Sequence, residues 1–208
     1  MRTVIIGLGA GLLPMFIKNG LPNMDIQVVE LDPVVLDVAR QYFGFTEDES
    51  LTAHVTDGIK FVSNIAAEER DMRKVDVLIV DVDSSDLSHG LTCPAAEFVE
   101  EPFLSSARDS LSENGLLIVN LVTRSLAVKN CVRWRLKKVF GKKVFHLQVE
   151  EDVNEVVFAV KKEDSSACSF DEDWLREGRS KLLAQGGGKQ RRWFQRIIEA
   201  SQSITPYD

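Results

Sequence analysis

Apolar and polar positions along the chain follow two alternating rhythms. Short runs dominated by Val, Ile and Leu recur at residues 4–6, 26–31, 51–56, 75–82 and 116–122. Runs of this length, rich in β-branched residues, predict strands buried on both faces of a parallel sheet. Between them lie segments with apolar residues at helical spacing. These are residues 12–18, then Val35, Val38, Ala39 and Tyr42, then Ile59, Val62, Ile65 and Ala66, then about 97–111, then 126–140. Asp32-Pro33 reads as N-cap and first helical residue, and Gly44 as a stop. Pro102 predicts a break or kink in the fourth helix. Residues 143–149 and 153–160, joined by Glu150-Glu151-Asp152, read as a terminal hairpin. Five strand–helix alternations followed by two adjacent strands predict an α/β fold, a doubly wound, mostly parallel sheet with an antiparallel edge. Residues 1–162 form this domain. Residues 163–208 form a C-terminal helical tail, with a polar linker at 163–169, helices near 170–183 and 193–200, and Gly186-Gly187-Gly188 between them.

The first strand runs directly into Gly7-Leu8-Gly9-Ala10-Gly11, and the second ends on Glu30, nineteen positions past the last glycine. Glycine there allows positive φ and brings bare backbone against a ligand. An acid about 20 residues on is the ribose-binding residue of nucleotide-type α/β sites. Leu12 occupies the position where the dinucleotide pattern requires glycine or alanine. The G-x-G-x-G form instead suits S-adenosylmethionine (SAM), whose methionine part packs against such a turn. A secretory signal is the competing reading, since residues 3–17 carry no charge. That run is too short to span a membrane and lacks a small-x-small cleavage site.

Composition narrows the function further. The 208 residues are 44% hydrophobic and 27% charged, an ordinary soluble globular balance with length enough for a full core. A net charge of -7 disfavours nucleic acid as a partner, and no segment predicts a membrane span. Cys93, Cys131 and Cys168 make no C-x-x-C pair, and His54, His89 and His146 lie far apart, so neither disulfides nor a metal site is expected. A reducing, cytoplasmic setting fits.

In open α/β sheets ligands lie beyond the carboxyl ends of the strands. Those ends carry Gly7, Gly9 and Gly11, then Glu30-Leu31-Asp32, Asp57-Gly58, Asp81-Val82-Asp83 and Asn120. A nucleoside offers hydroxyls and an exocyclic amine, donors that need acceptors. Asp32 reads as a cap. Asp57 reads equally as a cap or as an adenine contact. Asp81, Asp83 and Asp86 crowd into six positions around Ser84 and Ser85, without calcium-loop spacing. They predict an amine acceptor, oriented by carboxylates of which one takes the departing proton.

With these residues assembled, the chain resembles the class I SAM-dependent methyltransferases of the spermidine-synthase-like group. Within that group it is most similar to the methyltransferases of translation elongation factor 1-alpha that act on a lysine and on the N-terminal amine. The resemblance spans roughly residues 4–160. It is carried by Leu8-Gly9-Ala10-Gly11-Leu12-Leu13-Pro14, Val29-Glu30-Leu31-Asp32-Pro33, Tyr42-Phe43-Gly44-Phe45, Asp81-Val82-Asp83-Ser84-Ser85-Asp86, Gly90-Leu91-Thr92-Cys93-Pro94 with Phe98-Val99-Glu100, Asn120-Leu121-Val122 and Val153-Asn154-Glu155-Val156-Val157-Phe158. It implies a Rossmann-like, seven-stranded sheet, SAM as cofactor, and methyl transfer to a protein amine of elongation factor 1-alpha. It further implies Gly7, Gly9 and Gly11 beside the methionine moiety, Glu30 and Leu31 at the nucleoside, Asp57 and Gly58 at the adenine, and Asp81 and Asp83 facing the amine, with Asp86 and Asn120 completing the catalytic set. Polyamine synthases share D-S-S-D, but carry a G-G-G-D-G turn and an N-terminal β-domain. Here the turn has no aspartate and the first strand opens the chain, so aminopropyl transfer is the alternative, and the usual N-terminal lid is expected to be lacking. A third reading is an idle domain that binds a partner through Lys129, Arg133, Lys137 and Lys138 with Lys189, Arg191 and Arg192.

Overall fold

In the computed structural model of the chain, residues 1–21, 23–68, 74–148, 154–161 and 189–207 are described. The elements run β1 (Arg2–Ile6), α1 (Leu12–Gly20), β2 (Asp25–Glu30), α2 (Pro33–Tyr42), β3 (Leu51–Val55), α3 (Gly58–Ala66), β4 (Val75–Val80), α4 (Glu101–Ser110), β5 (Leu111–Val122), α5 (Leu126–Phe140), β6 (Val144–Gln148), β7 (Asn154–Val160), α6 (Lys189–Ser201) and β8 (Thr205–Pro206). They form one sheet in the order β3-β2-β1-β4-β5-β7-β6-β8. The first five positions of that order are parallel, and β7, β6 and β8 add antiparallel pairs. Strand order reverses between β1 and β4, which opens a crevice at their carboxyl ends.

The alternation of β1 assigns its neighbours. Val4 and Ile6 face a core built with Leu78, Val80, Leu117 and Val119 under Phe103, Leu104 and Leu136. Ile5 faces the opposite core with Ile26, Val28, Leu36, Ala39 and Phe45. Apolar residues on both faces of the central strands are what two covering layers of helix require.

Two segments differ from the sequence reading, and the fourth helix is broken as its proline predicts. The expected helix over 97–111 is two pieces, a 3-10 turn at Ala96–Val99 and then α4, with Glu100 extended between them at φ -86, ψ 151. Pro102 has no N–H to donate back into the preceding turn, so it sits in the first turn of a new helix. The fifth strand begins at Leu111, ahead of the apolar run at 116–122, and its register against β4 shifts between Val75 and Val77, where Asn114 takes φ 62. An eighth strand extends the expected seven, because the end of the tail joins the sheet. Phe145 pairs with Pro206 and His146 with Thr205, and the Tyr207 N–H donates to the Val144 carbonyl at 2.9 Å. The loop at 150–152, the linker at 163–169 and the helix expected near 170–183 lie outside the described residues.

Tyr207 is fully buried, and its hydroxyl donates to Glu155 Oε2 at 3.3 Å. Glu155 is only 1% exposed, so its charge needs partners. Lys129 Nζ lies 2.8 Å from it and the His146 imidazole contacts it, while the Arg133 guanidinium sits 4.6 Å over the Tyr207 ring. Burial, then the Glu155 charge, push the Tyr207 hydroxyl above the usual phenol range. Lys138 meets Glu101 at 2.6 Å. Three of the four α5 cations assigned to a partner face are thus engaged within the fold. Replacing Tyr207 with Ala is expected to cost about 3–5 kcal/mol, the range for emptying a buried aromatic site. Tyr207→Phe, which removes one hydrogen bond, is expected to cost about 1–2 kcal/mol. Denaturant midpoints of the two variants check that order.

Candidate functional site

The crevice at the β1/β4 reversal is a cleft of about 530 Å³. Its floor is set by how closely two strand tips approach. Gly7 follows β1 at φ +96, its N–H donates to the Val29 carbonyl at 2.8 Å, and an added Cβ would sit 2.1 Å from the Asp81 carbonyl oxygen. On the other side of the turn Gly11 has φ +76, and its Cβ would lie 2.6 Å from the Phe45 ring. Gly11 therefore seats α1 on the core, and unlike Gly7 and Gly9 it does not line the cleft. The third glycine of the motif is a packing glycine.

Glu30 ends β2, and its carboxylate spans the turn. Oε2 accepts the Leu8 N–H at 3.0 Å, and Oε1 accepts the Asp32 N–H at 3.0 Å. Two backbone donors from different loops fix its plane, and each oxygen keeps a lone pair toward the cleft. Leu31 beside it is 71% exposed on the rim. Asp32 caps α2 through Val34 N. Asp57 is a cap, its Oδ1 accepting from Ile59 N at 2.8 Å and Lys60 N at 3.2 Å at the start of α3, and it also lines the cleft. Gly58 is small because a Cβ there would meet Ile6 Cγ2 at 2.5 Å, with the Phe98 ring just beyond.

At the tip of β4, the Asp81 N–H donates to the Ile6 carbonyl at 2.9 Å. Its Oδ1 accepts Asn120 Nδ2 at 2.9 Å, and the Cys93 thiol lies 3.9 Å away. Asn120 does not line the cleft, and its amide is spent on Asp81. The loop beyond β4 is tied back to β5. Cys93 bridges Val122, whose N–H donates to the Cys93 carbonyl at 2.7 Å, and Ser84 N–H donates to the Thr92 carbonyl at 2.8 Å. Asp83, Ser84, Ser85 and Asp86 are thereby presented to the cleft. Asp86 is self-capped, with Oδ1 accepting Ser88 N at 2.9 Å, and this bond first, then His89, holds its carboxyl below the usual range.

The cleft also takes in residues that pattern reading did not single out as site residues, Val35, Ile59, Ala95, Glu97 and Phe98. By pattern Phe98 reads as an inward helix residue and Glu97 as the start of that helix. What places them is the broken helix, whose 3-10 turn carries them beside Gly58. Among the described residues, six carboxylates, Glu30, Asp57, Asp81, Asp83, Asp86 and Glu97, line the cleft, and no Lys, Arg or His does. Among the described residues no cluster of three or more His, Cys, Asp or Glu could hold a metal ion, and no helix is long and apolar enough to cross a membrane.

The sequence profile of the spermine/spermidine synthase domain matches residues 13–166. The chain belongs to the spermine/spermidine synthase domain family. It is 37% identical over 158 residues to the human eEF1A lysine and N-terminal methyltransferase, an alignment that covers 76% of this chain and 22% of that protein. The chain thus spans about a fifth of the length of that relative. Among solved structures, human methyltransferase-like protein 13 in complex with SAH superposes with a TM-score of 0.79 at 32% identity, over 90% of this chain and 84% of that one. Spermidine synthase from Thermotoga maritima superposes with a TM-score of 0.61 at 21% identity, over 78% and 54%, a likeness of fold. The architecture is that of the class I methyltransferases, with an antiparallel edge on a mostly parallel sheet.

Burial first, then the Asp81 and Asp83 charges, push the Cys93 thiol up to about 12, so it stays protonated. Cys131 is exposed. Iodoacetamide at pH 8 is expected to alkylate Cys131 in the folded protein and to reach Cys93 only after denaturation. Peptide mass spectrometry reads the difference.

Proposed function

We propose that this domain binds SAM and directs its methyl group to a protein amine. The acceptor assigned is the N-terminal amine of elongation factor 1-alpha, methylated in the cytoplasm. The supporting observation is the Glu30 carboxylate, held by two backbone N–H groups at the rim of a bare glycine turn, with only β1 between its strand and the one that leads into the Asp81–Asp86 loop. The residues fit the cofactor. A ribose presents two hydroxyl donors, and Glu30 keeps two oriented acceptors for them. Gly7 and Gly9 leave backbone open to the methionine part, Leu31, Ile59 and Phe98 offer apolar walls for a purine, and Asp57 and Gly58 border its edge. One further reading competes for the same chain. The polyamine enzymes pair a sulfonium nucleoside with an amine acceptor, so the family domain and a methyltransferase use one cleft. The human relative is named for N-terminal methylation, which supports the protein amine over a polyamine.

SAM, when bound, supplies an electrophilic methyl on a positively charged sulfur. The protein supplies charge and position. A cleft lined by carboxylates, with no cation among its described lining residues, draws in a protonated amine. One carboxylate must accept a proton before the nitrogen lone pair can attack. Asp83 takes this role, because it lines the cleft in the loop beyond Asp81. Asp81 orients the amine through Oδ2, since Oδ1 is occupied by Asn120. Asn120 acts through Asp81 and is a positioning residue. Asp86 closes the loop on itself and adds charge at the entrance. Aligning the nitrogen with the breaking sulfur–carbon bond contributes the remaining rate.

Labelled SAM with unmethylated elongation factor 1-alpha is expected to label the N-terminal residue. Consumption of decarboxylated SAM with putrescine instead would assign the aminopropyl reaction. Glu30→Ala is expected to weaken S-adenosylhomocysteine binding about tenfold or more, the loss of charge-assisted bonds to the ribose. Asp83→Asn is expected to lower kcat about a hundredfold while the calorimetric affinity for S-adenosylhomocysteine holds.

A further inference from the structure

A purine's exocyclic amine carries two N–H donors, and a site that reads it fully needs two acceptors. Asp57 alone is poorly equipped for both. Its Oδ1 already accepts Ile59 N and Lys60 N, which leaves one oxygen. The second acceptor has to come from another element beside the β3 tip. The 3-10 turn Ala96–Val99 occupies that place. Ala95 N–H donates to the Val82 carbonyl at 3.1 Å, which ties the turn to the β4 exit, and the Phe98 ring lies against Gly58, 3.5 Å from where its Cβ would be. Phe98 is itself wedged edge-on against Phe103, with ring centroids 4.9 Å apart. The turn is therefore anchored on both sides of the residue that precedes Phe98. That residue is Glu97, which lines the cleft and whose carboxylate has no hydrogen-bond or ion-pair partner among the described residues.

We propose that Glu97 is the second acceptor for the exocyclic amine of the bound purine, and so a determinant of adenine over bases that carry a carbonyl at that position. This rests on the cofactor reading above. A carboxylate accepts an N–H strongly and repels a carbonyl oxygen, so one residue both rewards the amine and penalises its deaminated analogue. Water in place of Glu97 accepts the same N–H but donates equally well to a carbonyl, and so does not discriminate. Asp57 and Glu97 then divide the task, one held rigidly by the helix it caps and one held by the Phe98 wedge.

Isothermal titration of the wild-type chain and of Glu97→Gln, each with S-adenosylhomocysteine and with S-inosylhomocysteine, tests this. Wild type is expected to prefer the adenine compound. In Glu97→Gln that preference is expected to shrink about tenfold, partly because the amide can donate to the carbonyl and S-inosylhomocysteine binds more tightly than to wild type. A merely structural role for Glu97 would weaken both ligands together. An unchanged ratio, or a parallel loss of both affinities, overturns the proposal and leaves the cofactor reading standing. A wild-type chain that binds neither ligand overturns the cofactor reading, and this proposal with it. Lys138, on the exposed side of α5 and paired with Glu101, is replaced by Ala as a control whose ligand ratio is expected to match wild type.

Discussion

The approach of the β1 tip to the β4 tip is the constraint on which the rest of the site depends. With room for no more than a hydrogen at Gly7, the carbonyl of Asp81 is brought against the glycine turn. The same closeness lets Ile6 and Asp81 share a backbone hydrogen bond, so the two loops leave the sheet from one point. Glu30 then ties the turn to β2 through Leu8 and Asp32. Three strand tips are cross-linked by main-chain donors before any ligand arrives, so the cost of ordering the cleft is met during folding rather than during binding.

The electrostatics follow from what those tips carry. Each carboxylate in the cleft is held differently. Glu30 bridges two loops, Asp57 caps a helix, Asp81 is fixed through Asn120, and Asp86 is turned in on its own loop. Asp83 and Glu97 are the ones that the surrounding protein leaves uncommitted among the described residues. An acidic cleft with no cation among its described lining residues favours positively charged ligands.

The far edge of the sheet is held by a different device. Glu155 is buried among Lys129, His146 and Tyr207, so the end of the chain closes onto α5 and β6 through charge as well as packing. Removing Lys129 or His146 leaves the Glu155 carboxylate, 1% exposed, buried with less compensation, which makes the cluster costly to break.

Much of this molecule is written locally. Apolar runs of three to eight residues, helical stripes between them, the Asp32-Pro33 start and the break near Pro102 are properties of contiguous residues, and each specifies an element by its own pattern. The glycine turn and Glu30 at its distance could be read as a nucleoside site for the same reason. Which of those residues meet was decided only by tertiary structure. Gly11 belongs to the packing of Phe45, Asn120 stands behind Asp81, and Glu97 and Phe98 enter the cleft. Tyr207 crosses from the tail into the core. These outcomes depend on strand order, on the register shift in β5 and on the direction in which a loop returns. Such quantities couple residues far apart in the chain, and no local pattern records them.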